Sequence, residues 1–172
     1  SPIATVQDQK IILQTENYKK RDRAKKLILK PEFDEKVALA KFYPGMNASL
    51  IDWYVEKGYR GMILEGTGLG HVSKYCFEAI RNAVKHDVVV AMTSQCIWGR
   101  VNMNVYDTGR DLLTLGVISL EDMLPETAVV KLMWIFGQTQ DPKEAKRLLK
   151  VNIAREFSPR TLPEKTGNDY GG

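Results

Sequence analysis

The run DVVVAMT at residues 87–93 limits the fold more than any other stretch of this 172-residue chain. It is too short for a core helix. Unbroken apolar character is what a strand needs when both faces of its sheet are covered. Two strand-like runs precede it: EKVALAKFY, with apolar Val37, Leu39 and Phe42, and YRGMILEG. A helix of about ten residues separates those two, with Asn47 as N-cap, Leu50, Ile51, Tyr54 and Val55 at helical spacing, and Gly58 as C-cap. Ser73 is expected to cap a second helix carrying Phe77, Ile80, Ala83 and Val84 and ending near His86. Strand, helix, strand, helix, strand at this spacing demands parallel strands joined by right-handed crossovers.

The remainder extends the same scheme. After the irregular stretch TSQCIWGRVNMNVYDTG, a short helix RDLLTL ends at Gly116 and VIS supplies a fourth strand. Pro125 opens the helix PETAVVKLMWIFGQ, on which Met133, Trp134 and Phe136 are expected core residues. Asp122 and Glu126 read as groups serving the positive end of that helix. Asp141, Pro142 and Glu144 start a last helix running to about Asn152. The expectation is a three-layer α/β/α domain with a mostly parallel sheet over residues 35–152. Residues 1–34 read as a short β element (PIATV and IILQT around QDQK) plus a basic linker. Residues 153–172, polar and rich in Gly and Pro, read as a flexible tail.

Charge and cysteine usage exclude several classes. The net charge is only +4, and its excess lies in YKKRDRAKK, where Lys19, Lys20, Arg21, Arg23, Lys25 and Lys26 surround Asp22. Two readings stand: a solvated linker, or a run that meets RNA phosphates by displacing counterions. Tyr18 is its only aromatic, which argues against base stacking. Cys76 and Cys96 form no disulfide framework and no metal spacing, so no metal or organic cofactor is expected. No apolar run approaches the roughly 20 residues of a spanning helix, and SPIATV lacks a signal-peptide pattern. The expected compartment is cytoplasmic.

Residues 65–73, EGTGLGHVS, place glycines at 66, 68 and 70 between a strand and a helix, where open α/β sheets hold their ligands. The dinucleotide fingerprint needs GxGxxG, with an acid ending the next strand; here the spacing differs and Asp87 begins that strand. No GK[ST] follows, which removes a Walker A loop. What remains is positive φ, close backbone approach, and main-chain amides able to hold a carboxylate, with His71 able both to donate and to accept.

The series KVALAKFYPGM, YRGMILEGTGLGHVS, TSQCIWGRVNM and YDTGRDLLTLGVISLEDMLPETAVVKLMW resembles the C-terminal, Rossmann-like domain of the L-asparaginase and glutaminase family, over residues 35 to 152. Within that family it is most similar to the archaeal subunits that serve tRNA-dependent amidation. The resemblance implies an amidohydrolase that releases ammonia from glutamine or asparagine through a threonine nucleophile. It implies an amino-terminal asparaginase-like domain, a homodimer, and a transamidase partner subunit, with tRNA as the polyanion for Lys19 to Lys26. The family's nucleophile lies in a TGGT-type segment of the amino-terminal domain. Thr67-Gly68 and Thr108-Gly109 lack the following Gly-Thr, so this chain is expected to hold no catalytic residue and to be inactive alone.

By the same resemblance Gly66, Thr67, Gly68, Gly70 and His71 form a closing loop that touches substrate or the neighbouring subunit, with His71 where many asparaginases carry Asn. Asn102, Asn104 and Tyr106 are candidates for further contacts of that kind. Cys96 reads as a buried thiol and Trp98 as packing at a domain or subunit interface. Two alternatives stay open: a cytosolic L-asparaginase, and a module that binds a small amino acid without chemistry.

Overall fold

The computed structural model of the protein describes residues 3–16 and 18–158; most of the expected tail, 159–172, lies outside them. The chain divides into two compact units, Ser1–Lys30 and Pro31–Gly172.

In the first unit, β1 (Ala4–Gln7) and β2 (Lys10–Leu13) pair antiparallel with Gln7 opposite Lys10. Asp8 and Gln9 between them both take positive φ, 47° and 63°. That is the two-residue turn whose twist suits a hairpin. Residues 19–30 carry no helix or strand.

The second unit is built on a four-stranded parallel sheet in sequential order: β3 (Val37–Lys41), β4 (Gly61–Gly66), β5 (Val89–Ser94) and β6 (Ile118–Ser119). The helices are α1 (Ser49–Glu56), α2 (Phe77–Lys85), α3 (Asp107–Leu115), α4 (Pro125–Gln138) and α5 (Pro142–Leu149). Alternate strand residues serve opposite layers, as the pleat requires. Ala38, Ala40, Met62, Leu64, Val90 and Met92 pack with Ile51, Ile80 and Leu112 of α1 to α3. Val37, Ile63, Val89, Ala91 and Ile118 pack with Leu132, Ile135 and Phe136 of α4 and Leu149 of α5. Every residue of β5 is buried, as expected of a strand covered on both faces.

Most expected boundaries hold for local reasons. α1 opens one residue later than expected, with Ala48 in place of Asn47 at the N-cap position, and Asn47 Oδ1 accepts the Ser49 N–H at 3.0 Å just ahead of it. Gly58 and Gly116 close α1 and α3 with φ of 71° and 99°. Pro125 is the first residue of α4, and Asp141 Oδ1 accepts the Lys143 N–H at 2.9 Å to cap α5. α5 stops at Leu149, short of Asn152, where the chain turns back toward Lys131.

Three expectations fail, and one apolar strand residue, Leu39, faces outward. Ser73 makes no side-chain cap; one 3-10 turn, Lys74–Cys76, intervenes before α2. Leu39 is exposed while Ala38 and Ala40 are buried, because the α4 layer reaches Val37 of this edge strand but not Leu39. Met133 and Trp134 are only partly buried, and Phe136 alone of the three is core. Asp122 does not cap α4. Its Oδ1 accepts the Ser158 N–H at 2.7 Å and faces Arg100 Nη2 at 3.4 Å.

Two charged clusters, invisible as motifs, fix the second unit. Lys131 on α4 is buried, donates to the carbonyls of Leu149 and Val151 at 2.9 and 2.6 Å, and pairs with Glu156 at 2.6 Å. Burial alone would raise the Glu156 pKa. The Lys131 ammonium and the N–H groups of Ile153, Glu156 and Ala154 instead hold it down at about 2. Arg60 donates to Asp34 at 2.6 Å and to the Thr139 carbonyl at 3.3 Å, and its guanidinium lies 4.2 Å from the centre of the Phe136 ring.

Candidate functional site: the loops at the carboxyl ends of β4 and β5

Parallel strands end together, so the segments leaving β4 and β5 meet at one edge of the sheet. Gln95 ties that edge down. Its N–H donates to the Gly66 carbonyl at 2.9 Å, and its Nε2 donates to the carbonyls of Phe42 and Glu65 at 2.5 and 2.9 Å. Lys41 pairs with Glu65 at 2.8 Å beside it.

The segment Thr67–His71 closes on itself. The Thr67 N–H donates to the His71 carbonyl, and the N–H groups of Gly70 and His71 donate to the Thr67 carbonyl, at 2.9 to 3.0 Å. The glycines serve different ends. A Cβ at Gly66 would lie 2.9 Å from the His71 backbone nitrogen, and one at Gly70 would lie 2.7 Å from Val101 Cγ1. Gly68 has open space around it, and its φ of 51° is the reason for glycine there. Three loop amides are thus spent inside the loop, which leaves Gly68 and Leu69 at its tip. Asp87, the one acid near the distance of a ribose ligand, lies at the opposite edge of the sheet, between α2 and β5.

The second segment clamps the first. Ser94 Oγ donates to the Gly68 carbonyl at 2.6 Å and accepts the Cys96 N–H at 3.0 Å. The Asn102 N–H donates to the Leu69 carbonyl at 2.9 Å. The His71 ring then sits against the start of α3. Its Nδ1 is 3.2 Å from Thr108 Oγ1, and Tyr106 meets the ring edge-on at 5.2 Å between centroids. His71 Nε2 is buried and has no hydrogen-bond partner among the described residues. A buried polar atom left in that state costs free energy until something satisfies it. Asp107 next to Thr108 is held below the usual carboxylate range by the Thr108 N–H and by Lys74, whose ammonium is 3.6 Å away.

The structure therefore brings Gly66, Thr67, Gly68, Gly70, His71 and Tyr106 into one cluster, and Asn102 joins it through its backbone. Asn102, Asn104 and Tyr106 are exposed. Asn104 contributes main chain only: its N–H lies 3.4 Å from Asn102 Oδ1, and its carbonyl accepts from Arg110 at 3.0 Å. Cys96 is exposed, not buried, because the tight turn closed by the Gly99 N–H on the Cys96 carbonyl turns these side chains outward. Trp98 beside it is 86% exposed and Ile97 74%. Ser94, Gln95 and Thr108 escaped the sequence reading, since their partners are 26 to 53 residues away. Among the described residues no group of three or more His, Cys, Asp or Glu side chains is placed to hold a metal. No helix among them is long and apolar enough to cross a membrane.

Comparison with known proteins gives this edge a context. Residues 36–149 match the Glutaminase/Asparaginase C-terminal domain. The chain is 52% identical over 163 residues to a glutamyl-tRNA(Gln) amidotransferase subunit of Pyrococcus furiosus, covering 94% of this chain and 37% of that protein. It is 59% identical over 125 residues to the corresponding amidotransferase subunit of Methanopyrus kandleri, covering 73% of this chain and 27% of that one. The chain thus spans little more than a third of the length of such curated relatives. Among solved structures, the thermostable L-asparaginase from Thermococcus kodakarensis superposes with a TM-score of 0.79 at 28% identity, over 92% of this chain and 48% of that one.

Proposed function

We propose, on the premise that this chain belongs to the Glutaminase/Asparaginase C-terminal domain family, that it is the carboxy-terminal part of an amidohydrolase subunit. That subunit releases ammonia from glutamine for tRNA-dependent amidation. The observation that carries the reading is the set of archaeal glutamyl-tRNA(Gln) amidotransferase relatives at about half identity over nearly the whole chain. The domain organisation follows: residues 35–152 form the asparaginase-like domain, preceded by a joining segment and followed by a tail.

On this reading the chain supplies binding groups and no nucleophile. The Gly66–His71 loop, with the His71 ring fixed beneath it, presents the tip amides of Gly68 and Leu69 to the charged ends of the amino-acid substrate. It does so at a site completed by an amino-terminal domain, across a homodimer interface that also covers Ile97 and Trp98. Thr108 and His71 form a hydroxyl–imidazole pair at 3.2 Å. A base that activates a hydroxyl needs a third group to orient it, and Nε2 has none among the described residues. The pair therefore serves to fix the ring. Thr67 Oγ1 donates to the His71 carbonyl at 3.3 Å.

Acyl transfer runs through the threonine of the amino-terminal domain, while this loop holds the substrate's α-amino and carboxylate groups. A plain L-asparaginase is the second reading, supported by the superposition on the Thermococcus kodakarensis enzyme. Ammonia release from glutamine and from asparagine, by this chain alone and after adding the amino-terminal remainder of the protein, tests both. Silence alone, activity on mixing and a preference for glutamine are expected. Preference for asparagine selects the second reading, and robust turnover by the chain alone contradicts both.

A further inference from the structure

We propose that residues 19–26 form a cationic cup that takes the phosphate backbone of folded RNA. The cup's choice of RNA rests on the amidation reading above; its geometry does not. Lys19, Lys20, Arg21, Arg23, Lys25 and Lys26 are all exposed, in a stretch without helix or strand. The single acid in the run, Asp22, is exposed and lines the same hollow as the six cations, and its Oδ1 accepts the Ala24 N–H at 3.0 Å, folding the chain into a bend. Among the described residues none of the six cations is in an ion pair. The bend gathers all six around one concavity of about 880 Å³.

A solvated linker has no need of this arrangement. Six like charges repel when crowded about one hollow, and that repulsion is relieved by a polyanion that displaces its own counterions. Eight residues reach at most about 28 Å, a length over which one duplex strand presents about eight phosphates. The ligand class is therefore a backbone, not a single phosphate. Base stacking plays no part, because Tyr18 is the only aromatic in or beside the run. Such a contact adds affinity and orientation without sequence selectivity.

Fluorescence anisotropy of a labelled tRNA transcript with the 172-residue chain, repeated across a KCl series, tests the assignment. Six contacts predict a slope of log Kobs against log [KCl] near −5, so affinity falls about a thousand-fold between about 0.05 and 0.2 M. Replacing all six residues by Gln flattens the slope to near zero, while Lys→Arg at the four lysines keeps it. A slope unchanged in the Gln variant overturns the proposal. Equal, variant-sensitive binding to phosphatidylserine vesicles also overturns it, by reassigning the cup to a membrane surface. The amide-hydrolysis experiment on mixing is independent of both outcomes, so failure of the cup and failure of the amidohydrolase reading are told apart.

Discussion

In the unit from residue 31 onward, Met62, Ile63, Val89, Val90 and Met92 are wholly buried, whereas in the unit before it Val6 and Ile11 are each 74% exposed and Leu27 is 92% exposed. Both stretches contain good strand formers. The difference lies in what is available to cover them. Parallel strands brought together by crossover helices bury both faces of β5 in one step. A two-stranded hairpin has no second layer and is marginal in water by itself. Its register is set by the positive-φ pair Asp8 and Gln9, so turn geometry stands in for a core. One unit is held by packing and buried charge, the other by local turns.

The contrast breaks most visibly at Lys131. Lys131→Met strips Glu156 of its partner inside the protein and leaves two carbonyls without a donor. It should cost about 3–5 kcal/mol, lowering the melting temperature by on the order of 10 °C. The same pair makes a pH statement. The Glu156 pKa is depressed in the folded chain to about 2. Its contribution is therefore present above the unfolded carboxylate range, near pH 4.5, and is lost as pH falls toward 2. A denaturant-midpoint series over that window should show a loss of about 3 kcal/mol. Glu156→Gln should remove most of this slope.

At the site, Gly66→Ala drives a methyl against the His71 backbone nitrogen. It should destabilise by about 1–3 kcal/mol, measured in the same unfolding assay. Thr108→Val frees the His71 ring at a cost of about 1 kcal/mol. In the reconstituted enzyme this should raise KM about five-fold with kcat little changed, the pattern of lost uniform binding. Ile11→Thr in the hairpin should shift stability by less than about 0.5 kcal/mol, because there is no packing to lose. A large effect there would erase the distinction between the two units.

The layered fold was legible because its signals are local. Apolar runs, Gly58, Gly116, Pro125 and Asp141 each act within a few residues. The candidate site was legible only as a loop. Gly66, Gly68 and Gly70 announce tight backbone, but nothing in EGTGLGH says that Thr108, 37 residues on, will hold the ring. Cys96 was misjudged for a related reason: residue type favours burial, and the turn closed at Gly99 overrides it. The Lys131–Glu156 and Arg60–Asp34 pairs join residues 25 and 26 positions apart, and charge spacing alone does not reveal them.

The proposed division of labour, with binding groups in this chain and the nucleophile outside it, is tested most directly by active-site labelling. An electrophilic glutamine analogue that alkylates the acylating hydroxyl is added to this chain mixed with the amino-terminal remainder. Peptide mass spectrometry then locates the adduct, with Cys96→Ser in place to silence its exposed thiol. The account predicts an adduct on a threonine of the added part and none on residues 1–172. A stoichiometric adduct on Thr67 or Thr108 would contradict it.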